Sequence, residues 1–334
     1  NTTGTGNSGF GASALDVNTT GNYNIATGHS ALTSNTTGQF NCAFGRVALT
    51  NNVNGNYNNA FGDSALEANT GSNNSAFGYQ ALEANISASN NTAVGYQTLL
   101  NNTTGTQNVA VGAFALDANT TANNNTAVGY LAGTACTTGT ANVFLGDLAG
   151  QTLTTADRCV FIGNTSGAVG TVTGDKNTGV GDNSLRNVSS GTLNTAVGSE
   201  SLMENTTASS NTAFGFASLK ANTTGANNTA IGHESLLSNT TASFNVGVGH
   251  HALENNTTGT NNTTVGTDSL RANTTASNNT AIGRTALTAN TTGIQNTAVG
   301  AYSLDANIDS HNNTAIGYVA LSSQTGGDGN NTAL

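Results

Sequence analysis

A glycine returns every seventeen residues along nearly the whole chain. Gly11, Gly28, Gly45 and Gly62 open the series, which runs on through Gly78, Gly95, Gly112, Gly129, Gly146, Gly163, Gly181, Gly198, Gly215, Gly232, Gly249, Gly266, Gly283, Gly300 and Gly317. Only two steps depart from 17, one of 16 residues (62 to 78) and one of 18 (163 to 181). A unit this short cannot bury a core of its own, so each must be one coil of a stack, and the stack is the fold. The period therefore predicts an all-β parallel β-solenoid of about nineteen coils over residues 1–334. At one strand spacing per coil, ~4.8 Å, such an array is a rod on the order of 90 Å long. Regular coils occupy 1–128 and 182–334, and a divergent zone covers 129–181.

Composition taken alone misleads. Charged residues make up 7% of the chain and Pro and Trp are absent, which resembles a disordered polar tract. Disorder, however, has no reason to hold apolar residues in phase over nineteen repeats. No run of about twenty apolar residues is present, so no membrane span is expected. Counting each repeat glycine as position 0, Asn1 falls at +7 and Asn331–Leu334 match −4 to −1. Neither end reads as a capping unit, and the chain is expected to be a segment of a longer fibre protein.

Within the repeat, −1 is apolar in every coil but one, Thr27 being the exception, and +4 is Leu in sixteen of nineteen. Position −2 is small, usually Ala, as at Ala43 and Ala230. Neighbouring strand residues point to opposite faces, so −2 and −1 cannot share one interior. The divergent zone shows which rows meet. There +4 becomes Gly133, Gly150 and Gly167, while −2 becomes Phe144 and Phe161 in two of the three coils. A large residue appears where one vanished, as close packing requires. Positions −2 and +4 are thus expected to line a thin two-stranded coil, with Leu49, Leu66, Leu82, Phe144, Phe161, Leu219, Leu236 and Leu287 in its core. The −1 row then faces out: Phe44, Phe61, Phe77, Val94, Val111, Val128, Val197, Phe214, Ile231, Ile282, Val299 and Ile316. An apolar stripe of that length needs cover, and heterologous contact with copies of the same chain supplies it. The alternative, a bend that turns −1 inward as well, leaves a monomer.

Asn occupies −4 in eighteen coils, among them Asn41, Asn91, Asn194, Asn211 and Asn296, and +7 in fourteen. Asn suits coil corners and forms amide ladders when stacked. The many Asn-Thr-Thr triplets match a glycosylation pattern that the repeat generates by itself.

The block Asn194-Thr195-Ala196-Val197-Gly198 resembles the core of the repeats in trimeric left-handed parallel β-roll heads, as in the trimeric autotransporter adhesins. It is more similar still to the repeat arrays of bacterial and phage tail-fibre-like proteins, which often end in an autocleaving trimerisation chaperone. The likeness covers essentially the whole chain. It implies left-handed coils, a homotrimer and an extracellular location at a cell surface or on a virion fibre. The period here is longer than in the adhesin heads, and no neck, anchor or chaperone is present in these residues.

Chemistry in one place should break the repeat. Most charges instead keep to +1, +2, +5 and +6, as at Asp63, Glu67 and Arg271, which reads as a solvated edge. The net charge of −10 argues against nucleic-acid binding, and no catalytic residues, cofactor or metal site are expected. His233 and His250 at +1 of successive coils, with His251 beside them, would stack one strand spacing apart, where they could bind a metal or sense pH; they read as a solvated pair. Gly326–Gly329 is the nearest approach to a calcium-binding repeat and reads as a loop. Cys42, Cys136 and Cys159 lack zinc spacing; pairing of Cys136 with Cys159 stays open. Aromatic residues at +1 or +2, Tyr79, Tyr96, Phe114 and Tyr130, form a row able to stack on a host glycan or protein. The expected function is non-enzymatic: the shaft or head of an extracellular trimeric fibre for surface attachment, an adhesin or tail fibre. A purely structural surface filament, an ice-binding solenoid and a polysaccharide-cleaving solenoid enzyme are the alternatives.

Overall fold

The computed structural model describes residues 2–327 and 329–334; Asn1 and Asp328, the latter within the Gly326–Gly329 run, lie outside them. The protein is an all-β parallel solenoid of about nineteen coils, each contributing one three-residue strand at −3 to −1. The chain falls into two compact units, Asn1–Ala168 and Val169–Leu334. In the first, strands run from Ser8–Phe10 to Val160–Ile162; in the second, from Thr178–Val180 to Thr332–Ala333. Within each unit successive strands pair in parallel and in register, as Thr92↔Val109, Ala93↔Ala110 and Val94↔Val111, or Thr195↔Thr212 and Val197↔Phe214.

The expected second strand is not there. From +1 to +6 the chain runs as turns, because +2 and +4 both take left-handed backbone: φ is 56° at Ser30, 54° at Leu32, 55° at Gln80 and 55° at Leu82. A left-handed Leu costs roughly 1–2 kcal/mol, and full burial of the side chain returns about 1.5–3 kcal/mol. Burial wins narrowly, and hydrogen bonding secures the outcome. The amide of Leu32 donates to the Ala48 carbonyl (2.9 Å) and that of Ser30 to Ala12 (2.9 Å), so the turn half of the coil is laddered to its neighbours as the strand is. The repeat glycine is needed for closeness as well as for conformation: at Gly78, φ is 142° and a Cβ would lie 2.1 Å from the Gly95 carbonyl oxygen.

Three rows fill the interior. Leu at +4 and the small residue at −2 face each other: a Cβ on Gly247 would meet Leu236 Cδ1 at 3.3 Å. All eight core residues named from sequence, Leu49, Leu66, Leu82, Phe144, Phe161, Leu219, Leu236 and Leu287, are fully buried. The third row, +3, passes unnoticed in the sequence: Ala31, Ala48, Thr98, Ser201 and Ala286 are equally buried. Phe144 covers two glycines, since a Cβ would come within 2.5 Å of its ring at Gly133 and 2.2 Å at Gly150; Phe161 covers Gly167 at 2.7 Å.

Two buried Asn ladders close the coil. Asn24 at −4 donates Nδ2 to the Gly38 carbonyl of its own coil (2.8 Å), and Asn35 at +7 donates to that same oxygen (3.0 Å). Each also joins the preceding coil, Asn24 through its backbone amide to Asn7 Oδ1 (2.8 Å) and Asn35 through Nδ2 to Asn18 Oδ1 (2.7 Å). Asn41, Asn91, Asn194, Asn211 and Asn296 are all rungs of the −4 ladder.

Candidate functional site

With −2 turned inward, −3 and −1 of every strand look out. Phe61, Phe77, Val94, Val128, Phe214, Ile231, Ile282 and Ile316 are 37–56% exposed, and Phe44, Val111, Val197 and Val299 are half-buried. Along the row they partly cover one another: Phe44 stacks on Phe61 (centroids 4.8 Å apart) and Phe61 on Phe77 (4.9 Å). Beside them runs the −3 row, largely Thr with Ile25, Val109, Val143 and Val246 among it. No residue at −3 or −1 carries a charge. Each unit thus presents an uncharged, periodically apolar strand face, while the ionised groups gather on the turn half. There Arg46 pairs with Asp63 (2.9 Å) and Lys220 with Glu200 (2.7 Å).

The aromatic row at +1 and +2 is exposed at Tyr79, Tyr96 and Tyr130, with Phe114 half-buried. Tyr79 and Tyr96 lie 5.4 Å apart at 12°, so each covers a face of the other and the pair offers mainly edges and hydroxyls. Tyr96–Phe114 and Phe114–Tyr130 meet edge to face. A second aromatic ladder is missing from the sequence reading: Tyr23, Phe40 and Tyr57 at −5, stacked at 5.2 and 5.1 Å. Their seventeen-residue spacing was the signal that would have found them.

His233, His250 and His251 come together on two successive coils, His233 and His250 exposed as expected of a solvated pair and His251 half-buried. No disulfide joins Cys136 to Cys159; both are buried, and burial pushes the Cys136 thiol up to about 12. Cys136 stands at +7 with Sγ 3.4 Å from the Gly139 carbonyl, and Cys159 stands at −4, where its amide still donates to Asn142 Oδ1 (2.8 Å). Desolvation raises the pKa of Asp117 above the ordinary carboxylate value, partly offset by a hydrogen bond from Thr134. No helix among the described residues is long and apolar enough to cross a membrane.

Comparison with known proteins finds no protein-family model that matches this chain and no curated protein with significant sequence similarity to it.

Proposed function

We propose that the chain is the shaft or head segment of an extracellular trimeric fibre, a non-enzymatic protein for surface attachment of the adhesin or tail-fibre kind. One observation carries this reading: the uncharged strand face with its outward −1 stripe. Depletion of charge over an apolar centre is what distinguishes interface cores, and contiguous apolar surface of this extent is rare on a monomer. A partner that fits a row repeating once per coil must repeat at the same rise, and a parallel copy of the same chain does so by construction. The number three and the extracellular setting come from the likeness of the repeat to trimeric β-roll heads. Reach, stiffness and threefold display would raise avidity without new contacts per chain.

The test is mass in solution. A trimer sediments at three times the 33.2 kDa chain mass, and Val94→Glu with Val128→Glu, placed in the stripe, drives it toward monomer with an unchanged β-sheet circular dichroism spectrum. A stable native monomer overturns the assembly. The outward Thr row at −3, with Thr195, Thr212 and Thr229 on adjoining strands, favours a second reading in which the same face binds ice. A monomer with thermal hysteresis would support that reading instead.

A further inference from the structure

Three of the five histidines of the chain stand together in the second unit, His233 at +1 of one coil and His250 and His251 at +1 and +2 of the next. Coil register brings this about: Ile231 pairs with Val248, and the His251 amide donates to the His233 carbonyl at 3.0 Å. Ring centroids lie 5.1 Å apart for His233–His250, 5.8 Å for His233–His251 and 3.6 Å for His250–His251. Each histidine brings one ring nitrogen to within 4.8 Å of the other two. Glu234 stands beside the group on the side of His251 and His233, with Oε2 3.0 Å from His251 Nε2 and 3.7 Å from His233 Nδ1. Phe216 stacks on His233 at 5.2 Å and closes one end of the row.

We propose that His233, His250 and His251, with Glu234 as the fourth ligand, bind a transition-metal ion of the zinc class and so tie two successive coils together. Three imidazoles and one carboxylate form a donor set suited to such an ion. A tetrahedral site with metal–nitrogen bonds of about 2.0–2.1 Å places its ligand atoms roughly 3.3 Å apart. The ring nitrogens, within 4.8 Å of one another, need to close by at most about 1.5 Å, and His233 and His250 are exposed and able to turn.

A second observation lies behind His251. Its Nδ1 faces Asp268 Oδ1 at 3.4 Å and Glu254 Oε2 at 3.9 Å. That Asp268 oxygen is buried and has no hydrogen-bond partner, although Arg271 Nη1 stands 3.5 Å away. Metal on His251 Nε2 fixes the ring proton on Nδ1 and supplies the missing donor. A carboxylate behind the ligating imidazole is the arrangement that orients metal-bound histidines. Arg271, which donates to Glu254 at 2.5 Å, offsets the negative charge behind the ring. The inference does not rest on the trimeric assembly.

Tag-free protein, stripped with chelator and titrated with zinc chloride in a calorimeter, should take up one ion per chain with a Kd of micromolar or tighter. The ion should raise the melting temperature by mass action. His233→Ala with His250→Ala should weaken binding at least a hundredfold, and Glu234→Gln about tenfold. His29→Ala with His311→Ala, and Cys42→Ser, should leave it unchanged. With copper(II) in place of zinc, the electron paramagnetic resonance spectrum should show nitrogen couplings that the double His233/His250 variant loses. Glu234, His251 and Glu254 also place ligand atoms within 4.8 Å of one another. Full zinc affinity in the His233/His250 double variant would put the ion there and overturn the proposal, as would binding only at millimolar zinc or its loss with Cys42→Ser.

Discussion

Within the first unit, the coils from Gly78 to Val128 and those from Gly129 to Ala168 have the same backbone and different interiors. The regular coils hold Leu82, Leu99 and Leu116 at +4, Ala at −2 and Asn at +7. The divergent coils hold Gly133, Gly150 and Gly167 at +4, Phe144 and Phe161 at −2, and Cys136 and Leu153 at +7, with all four of these larger side chains fully buried. Yet Val143–Leu145 pairs residue for residue with Thr126–Val128. The +4 backbone also stays left-handed, φ being 51° at Leu116, 61° at Gly133 and 60° at Gly150. The coil is therefore set by backbone laddering and left-handed corners, and the core needs only to be filled. The divergent solution places glycine where φ is positive, removing the strain a Leu carries there, and returns the lost volume from the opposite wall.

The largest expected effect comes from emptying that wall. Phe144→Ala should cost about 3–5 kcal/mol, the range for deleting a buried ring into a cavity that cannot collapse. Collapse is blocked because the two glycines beneath it have no side chains to move in. Gly150→Leu alone should also destabilise, since its Cβ would lie 2.2 Å from Phe144 Cδ1. Combined, Phe144→Ala with Gly150→Leu recreates the regular coil and should recover much of the loss. Urea denaturation of the two single variants and the double gives a coupling energy. Strict additivity would show that the two interiors are not interchangeable.

Next in size is a rung of the −4 ladder in the regular coils. Asn91 Oδ1 accepts the Asn108 amide (2.9 Å) and its Nδ2 donates to the Gly105 carbonyl (2.8 Å). Asn91→Ala strands the buried Asn108 amide, at roughly 1–3 kcal/mol for one group left unpaired, while the Gly105 carbonyl keeps Asn102 Nδ2 (3.0 Å). Asn91→Leu fills the space without repairing either bond, so the two variants should unfold at similar urea concentrations. If Leu proves clearly better than Ala, packing rather than hydrogen bonding holds this corner.

The period, the strand, the Asn rungs and the meeting of −2 with +4 are legible in the sequence because each repeats an unusual residue type in phase. The +3 row is not, since Ala, Ser and Thr alternate there and read as neutral although Thr98 and Ser201 are as buried as Ala31. The turn half was hidden for a different reason. Leu is among the residues least expected at positive φ, so its recurrence at +4 points to a strand; tertiary burial overrides local preference along the array, with Leu321 in the last coil half-buried. At the histidine cluster, the spacing of His233 and His250 is visible in the sequence. The approach of Glu234 and the unpartnered oxygen of Asp268 depend on side-chain direction and appear only in three dimensions.

The smallest expected effect tests how a ladder ends. Asn102 Oδ1 accepts Nδ2 of Asn119 (2.6 Å), but Asn119 Oδ1 is buried and has no partner, because Cys136 stands where the next amide would be. In the second unit Asn307 Oδ1 is left the same way, where Gln324 follows at +7. Such an orphan acceptor is what any donor-to-acceptor chain leaves at its last rung. Cys136→Asn would satisfy Asn119 and bond the Gly139 carbonyl, but its own Oδ1 would then face Leu153 and inherit the vacancy. The substitution moves the end of the ladder by one coil, and its net effect should stay within about 1 kcal/mol, the scale of a single hydrogen bond. Cys136→Asn with Leu153→Asn should move the end once more, at the added cost of the buried Leu153 side chain. Alkylation of the native protein at neutral pH gives an independent check on the same position. A thiol whose pKa is pushed up to about 12 by burial stays neutral and unreactive, so label should enter half-buried Cys42 first and reach Cys136 only on unfolding. Native labelling of Cys136 would mean that the ladder opens at its end, and then Cys136→Asn should stabilise by more than a single bond.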